Sequence, residues 1–317
     1  MKQIFVNLKR FDVHRDLGGV CSDSSSRHWI ENIIDVCVGS GKDKLEGIEL
    51  VFMLPESLII SAVERLARHR SSDASAIKIG CQGVFREDIA KGGNFGAFTC
   101  NRPASAAKSL GCDWTIVGHS EERKDKLQII ASYDPRVLDD AVIQAGASGA
   151  VSNLINKELI CALKRELNVL LCVGETASER GEGVFEEQKP RVQAVLEQQL
   201  EIGLAGLDFL ASEGRDVMKR RVVIGYEPIW AIGPGKLPPG AGYIDFVSSA
   251  IKEVVARRFH FDPTVVYGGG LKEENAAMIA SVPSIGGGLV ALTRFVGEIG
   301  FYPEELMKVI EKYKQEG

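Results

Sequence analysis

The sequence predicts an α/β protein built as a (β/α)8 barrel, with residues 1–317 forming one domain. Three observations predict it. Short β-rich runs alternate with segments of helical spacing, eight such units follow one another, and glycines gather just after the apolar runs. Alternation implies parallel pairing, because parallel neighbours need a crossover connection. Eight units favour a closed barrel over an open doubly wound sheet. The open sheet is the runner-up, but it usually carries a Gly-rich phosphate turn after its first strand. Here that strand runs into Asn7-Leu8-Lys9.

The elements follow in order. Ile4-Phe5-Val6 opens the series, and a helical stretch spans Trp29–Val38. Ile48–Met53 is the second strand, with a helix near Glu56–Arg70. Ala76–Gly80, Trp114–Val117 and Asn168–Val173 are the third to fifth strands. Val222–Gly225, Thr264–Tyr267 and the weakest, Gly288–Ala291, complete the set. Amphipathic segments cover Phe185–Phe209, Tyr243–Arg258, Lys272–Ala280 and Pro303–Tyr313. Three stretches read as insertions on this frame: Arg10–Arg27, Asp125–Ala150 and Gly203–Arg220. The charge run Lys219-Arg220-Arg221 reads as a solvated helix end.

A length of 317 residues could hold two domains of ~150, but α/β barrels commonly run ~250 residues as one. The 45% hydrophobic and 26% charged fractions argue against disorder, collagen and coiled coil. A net charge of −5 leaves no electrostatic footprint for nucleic acid. No stretch reaches the ~18 apolar residues that span a bilayer. The first residues, Met-Lys-Gln-Ile-Phe-Val-Asn, are too short a run for a signal peptide. The seven cysteines are widely spaced and form no Cys-x-x-Cys. They read as reduced thiols of a cytoplasmic protein, with neither a disulfide frame nor a metal site.

In such a barrel the active site lies at the C-terminal ends of the strands. The first strand ends at Asn7 and Lys9, which share a face. The fourth ends in Val117-Gly118-His119-Ser120-Glu121, the fifth in Cys172-Val173-Gly174-Glu175, the sixth in Tyr226-Glu227-Pro228, and the seventh in Tyr267-Gly268-Gly269-Gly270. Taken singly, Lys9 is an ordinary surface lysine and His119 an ordinary hydrogen-bonding histidine. Together, a lysine, a histidine and a glutamate converge on one rim. That set can move protons beside a carbonyl, with the carboxylate as base and the imidazole and ammonium stabilising an enediolate.

Val117-Gly118-His119-Ser120-Glu121-Glu122-Arg123 and Tyr226-Glu227-Pro228-Ile229-Trp230-Ala231-Ile232-Gly233-Pro234-Gly235-Lys236 closely resemble the histidine and glutamate signatures of the triosephosphate isomerase family. Asn7-x-Lys9, Gly96-Ala97-Phe98-Thr99, Cys172-Val173-Gly174-Glu175 and Tyr267-Gly268-Gly269 match further motifs in order. The resemblance spans residues 4 to about 313 and implies a TIM barrel. It implies that Glu227 is the general base, His119 a neutral electrophile and Lys9 a positive charge near the substrate oxygens. Asn7 donates a hydrogen bond there, Glu121 pairs with Lys9, and Ser120 and Cys172 lie just behind. Pro228–Lys236 forms a mobile lid whose Gly233 offers a backbone N–H to phosphate. The resemblance implies no cofactor, a small phosphorylated sugar as substrate, and a homodimer, although the stretch matching the family's interface loop, Cys81–Gly96, is longer and reads differently, with Arg86-Glu87-Asp88.

The chain departs from the family where phosphate is held. Gly268-Gly269-Gly270 replaces Gly-Gly-Ser, so a hydroxyl donor is gone, leaving Gly269 and Gly270 as backbone donors. Ala291-Leu292 matches the family's Gly-Gly after the eighth strand, although Gly286-Gly287-Gly288 lies just upstream and leaves the register open. Arg294 could replace the lost donors with a bidentate clamp, or be a surface residue at a helix start. Gly235-Lys236-Leu237-Pro238-Pro239 stiffens the far hinge of the lid. The Arg10–Arg27 segment is either a surface loop or a reshaped pocket wall. Triose phosphate is the leading substrate, a tetrulose phosphate or related phosphosugar the alternative, and a non-catalytic metabolite-binding barrel the reading of another class.

Overall fold

The computed structural model describes residues 1–69, 72–207, 219–233 and 235–316. Eight strands close into a parallel barrel in chain order. They are β1 (Lys2–Asn7), β2 (Ile48–Leu54), β3 (Ile77–Cys81), β4 (Trp114–Val117), β5 (Asn168–Val173), β6 (Val222–Tyr226), β7 (Thr264–Tyr267) and β8 (Gly287–Val290). β1 closes the ring by pairing with both β2 and β8.

Burial on both faces explains why the strands read as nearly continuous apolar runs. Phe5, Val51, Met53, Trp114, Ile116, Leu170, Cys172, Val223, Val266 and Leu289 form one cluster, separate from the larger core. Each comes from an alternate strand position, so this cluster fills the barrel interior. Phe5 and Trp114 meet there edge to face, with ring centroids 5.0 Å apart. The remaining strand residues join the helices in the larger core. The helix Ser26–Gly39, for example, buries Trp29, Ile30, Ile33, Ile34 and Cys37 at helical spacing, and Ser25 caps its start.

The stretch 125–150 is helical rather than an inserted loop. It supplies the end of helix Ser120–Tyr133, a 3-10 turn at Pro135–Leu138 and the start of helix Ala141–Lys164. Asp140 restarts the helix by accepting the N–H groups of Val142 and Ile143. The stretch 10–27 folds back on itself through Cys21 N–H to Val13 O, 3.0 Å, and Gly19 N–H to His14 O, 3.2 Å. Arg15 then ties it to the segment after β8, donating to the Tyr302 hydroxyl at 3.0 Å and lying 3.4 Å from Glu298.

Helix Phe185–Gly203 is shorter than the sequence pattern suggests. Phe209, most of the 203–220 stretch and Pro234 of the lid lie outside the described residues. In the run Lys219-Arg220-Arg221 the first two residues are helical and Arg220 is exposed, as a solvated helix end requires, but Lys219 departs from that reading. Lys219 is buried, and its ammonium donates to Phe259 O at 2.6 Å, at the C-terminus of helix Ala241–Phe259. A cation there satisfies an orphan carbonyl and meets the negative end of the helix dipole.

β8 begins one residue earlier than its pattern suggested. The glycine triplet lies at the start of this strand, where a Cβ on Gly287 would sit 1.7 Å from Gln3 O. These glycines therefore allow close strand approach, and Ala291-Leu292 stand at the C-terminal rim. Among the described residues, no helix is long and apolar enough to cross a membrane.

Candidate active site

Asn7 is the last residue of β1 and is buried. Its Oδ1 accepts the Lys9 N–H at 3.0 Å. Lys9 itself adopts φ 42°, a left-handed conformation that costs a non-glycine residue about 1 kcal/mol or more. The turn aims the lysine across the rim, where Nζ donates to Glu121 Oε1 at 2.6 Å. Burial works against the Glu121 carboxylate, but Lys9 holds its pKa below the ordinary range.

The sequence reading missed Gln82. Its amide donates to Asn7 Oδ1 at 3.1 Å and to Lys9 O at 2.9 Å, so it secures the turn that presents Lys9. The available signal was its position as the first polar residue after the β3 run, on the same rim as Asn7.

His119 caps the helix Ser120–Tyr133. Its Nδ1 accepts the Glu121 N–H at 3.3 Å. An accepting Nδ1 places the ring proton on Nε2 in the neutral tautomer, an assignment made from this hydrogen bond. The helix N-terminus opposes a positive charge at that position. Nε2 faces Glu227 Oε1 at 3.3 Å.

Glu227 follows β6 and is only 2% exposed. Ser120 holds it twice, through its N–H to Oε2 at 2.9 Å and its hydroxyl to Oε1 at 3.1 Å. Two glycines make room. A Cβ on Gly174 would lie 1.8 Å from Glu227 O, and one on Gly268 would lie 2.8 Å from Glu227 Cγ. Cys172 is buried beside this carboxylate, and burial first, then the Glu227 charge, raise its thiol pKa well above the usual value.

The segment after Pro228, expected from the resemblance to be a lid, begins as a 3-10 turn at Ile229–Ala231. Trp230 Nε1 donates to Glu175 Oε1 at 2.7 Å, as do the hydroxyls of Tyr243 at 2.8 Å and Tyr226 at 3.0 Å. Burial raises the Glu175 pKa while these donors oppose the rise. Arg180 lies 3.9 Å from the Trp230 ring centre. Gly233 has φ 121° and space around its α-carbon, which suits a backbone that must approach a ligand.

The residues expected to hold the anion are arranged differently. Gly269 and Gly270 follow β7, and Gly270 has φ 91° with open space where a side chain would project. Arg294 is not brought to the Lys9, His119 and Glu227 group. Its Nε donates to Glu305 Oε1 at 2.8 Å, and its guanidinium stacks 3.7 Å from the Tyr302 ring centre. Thr293 and Arg294 pair with Gly300, so residues 293–300 form a small hairpin.

A closed parallel barrel with this set on its C-terminal rim defines a TIM-barrel isomerase, an enzyme of the intramolecular oxidoreductase class. The family model described as triosephosphate isomerase matches residues 32–298. Triosephosphate isomerase of Chloroherpeton thalassium is 33% identical over 221 residues, 69% of this chain and 71% of that one. The protein of the same name from Nitratidesulfovibrio vulgaris is 31% identical over 251 residues, 78% of this chain and 82% of that one. A crystal structure of triosephosphate isomerase from Bartonella henselae shares the fold with a TM-score of 0.64, covering 99% of each chain at 19% identity. The chain belongs to the triosephosphate isomerase family.

Proposed function

We propose that this protein interconverts glyceraldehyde 3-phosphate and dihydroxyacetone phosphate by proton transfer through an enediolate, without a cofactor. The observation that carries this reading is the Glu227 carboxylate poised 3.3 Å from the His119 imidazole Nε2. At rest both carboxylate oxygens accept hydrogen bonds from Ser120. Substrate entering beside His119 displaces Glu227 from Ser120 and offers it a carbon-bound proton. Glu227 shuttles that proton between adjacent carbons while His119 polarises the carbonyl through Nε2–H. Lys9 and Asn7 stabilise the developing oxyanion. Backbone N–H groups of Gly233, Gly269 and Gly270 meet the phosphate as the lid excludes water. Arg294 reaches the anion by exchanging Glu305 for phosphate.

A second reading, isomerisation of a tetrulose phosphate or similar sugar, is favoured by the open space at Gly270 and the added hairpin beside β8. We read the chain as one cytoplasmic barrel domain that contacts neither membrane nor nucleic acid. A homodimer through the Cys81–Gly96 stretch is supported by Phe95, which is 84% exposed with φ 53°. Assays with three- and four-carbon aldose and ketose phosphates separate these readings, and sedimentation of the same sample reads the assembly. Fastest turnover of triose phosphate supports the first reading. A preference for a tetrulose phosphate replaces it with the second, and no turnover by folded protein leaves the non-catalytic barrel.

A further inference from the structure

β4 ends at Val117, and the chain turns through Gly118, φ 74°, directly into His119. The orientation of the Gly118 peptide therefore decides where the imidazole points. The ladder to β5 stops at Val117, so the Gly118 N–H has no strand partner in it. Glu122 supplies one, with Oε2 accepting that N–H at 2.6 Å. On the other side of the residue, Arg123 Nε donates to Gly118 O at 2.8 Å, and Arg123 also holds Cys172 O and the Ser152 hydroxyl. The turn before His119 is thus gripped at both its N–H and its carbonyl.

Glu122 is itself held. Lys126, one helical turn on, pairs with Glu122 Oε1, and the same ammonium lies 3.0 Å from Glu158 Oε1 on the neighbouring helix. Glu158 is 3% exposed, and its Oε2 has no hydrogen-bond partner among the described residues. Two carboxyl groups and one ammonium in so little water cannot all be charged cheaply. Burial, then contact with Glu122, pushes the Glu158 carboxyl up, so it keeps its proton. Burial works against Glu122 as well, but contact with Glu158 and the Lys126 charge bring it down, so it is the anion of the pair. An anionic acceptor makes the stronger bond to the Gly118 N–H.

We propose that Glu122 is a positioning residue for His119, acting through the Gly118 peptide, with Lys126 and Glu158 holding it in place. No atom of Glu122 needs to touch the substrate. The proposal rests on the reading that His119 polarises the substrate carbonyl, so its test includes a readout that does not use turnover.

Glu122→Ala frees the Gly118 N–H, and Glu122→Gln restores an acceptor of the same shape. Glu122→Ala is expected to lower kcat by about 10²-fold, as a misplaced catalytic group does, with KM changed less than about threefold. Glu122→Gln recovers most of that loss. Nitrogen-15 NMR of the His119 ring in ligand-free protein is expected to show a single Nε2–H tautomer in the wild type and exchange between ring environments in Glu122→Ala. A folded Glu122→Ala protein with wild-type ring signals overturns the proposal, whatever its turnover. A wild type silent on every sugar phosphate sinks the functional reading, while the ring signals still decide the positioning role. Should Glu122→Ala fail to fold, Lys126→Gln loosens Glu122 without removing it. Unchanged ring signals in Lys126→Gln overturn the proposal equally.

Discussion

The two sides of the barrel mouth are built on different terms. On the side of β4, β5 and β6, each polar group at the rim is held by another. Ser120 holds Glu227, the Glu121 N–H holds His119, and Glu122 and Arg123 hold the turn between β4 and the helix. On the side of β7 and β8, Gly270 offers no side chain and open space where one would project. Arg294 is committed to Glu305, and the stretch 10–27 is tied to the segment after β8 through Arg15 and Tyr302. Proton transfer depends on tenths of an ångström at few atoms, so its machinery tolerates little change. Anion binding can be supplied by any set of donors that reaches the phosphate, so it can be rebuilt. On the proposed reading, His119 and Glu227 lie on the first side, while Lys9 and Asn7 at the end of β1 stand on the second beside the groups proposed to hold the anion.

The sharpest way to break this contrast is at Glu227. Glu227→Gln keeps the shape and removes the base, so kcat is expected to fall by about 10³-fold with little change in KM. Steady-state assays that return a wild-type kcat remove the proton-transfer role from that half. On the other half, Arg294→Ala is expected to raise KM by about tenfold with kcat nearly kept, the value of roughly one charge-assisted contact. An unchanged KM makes Arg294 a brace of the 293–300 hairpin and no part of the anion site.

The smallest effect is on stability. The raised pKa of Glu158, caused mainly by burial, means the folded chain holds a proton that the unfolded chain has released. That contribution is complete below the ordinary carboxylate range. It is lost progressively as pH rises from there through the raised folded value. Glu158→Gln cannot titrate, so its Tm is expected to fall less than the wild type's between pH 5 and pH 9. Parallel Tm curves for the two proteins would show that the carboxyl pair does not carry the shift.

Much of the catalytic half could be read in advance. The strand runs were strong because residues buried on both faces leave no polar interruption, and β4, β5 and β7 fall where their patterns placed them. Lys9, His119 and Glu227 stood out because each is polar at the end of an apolar run. Gln82 is equally placed but was passed over, because an amide signals no chemistry until its partners Asn7 and Lys9 are known. Glu122, Lys126 and Glu158 were hidden for a related reason. A Glu and a Lys one turn apart on a helix look like any solvated pair. Only the approach of helix Ala141–Lys164 buries them and sets them against a third charge. Lys219 failed in the opposite direction, as a charge run that resembled surface and proved to cap a buried carbonyl.

Alone, the sequence determined the barrel and which polar residues stand at its C-terminal rim, because both depend on local patterns: strand alternation, glycines at turns, and a polar residue at each strand end. What only the tertiary structure decided is where the remaining charges go. Arg294 turns to Glu305, Lys219 to Phe259, and Glu122 to the peptide before His119. A long charged side chain has several partners within reach, and the one it takes is set by which elements pack beside it and exclude water. That packing is formed between segments far apart in the chain.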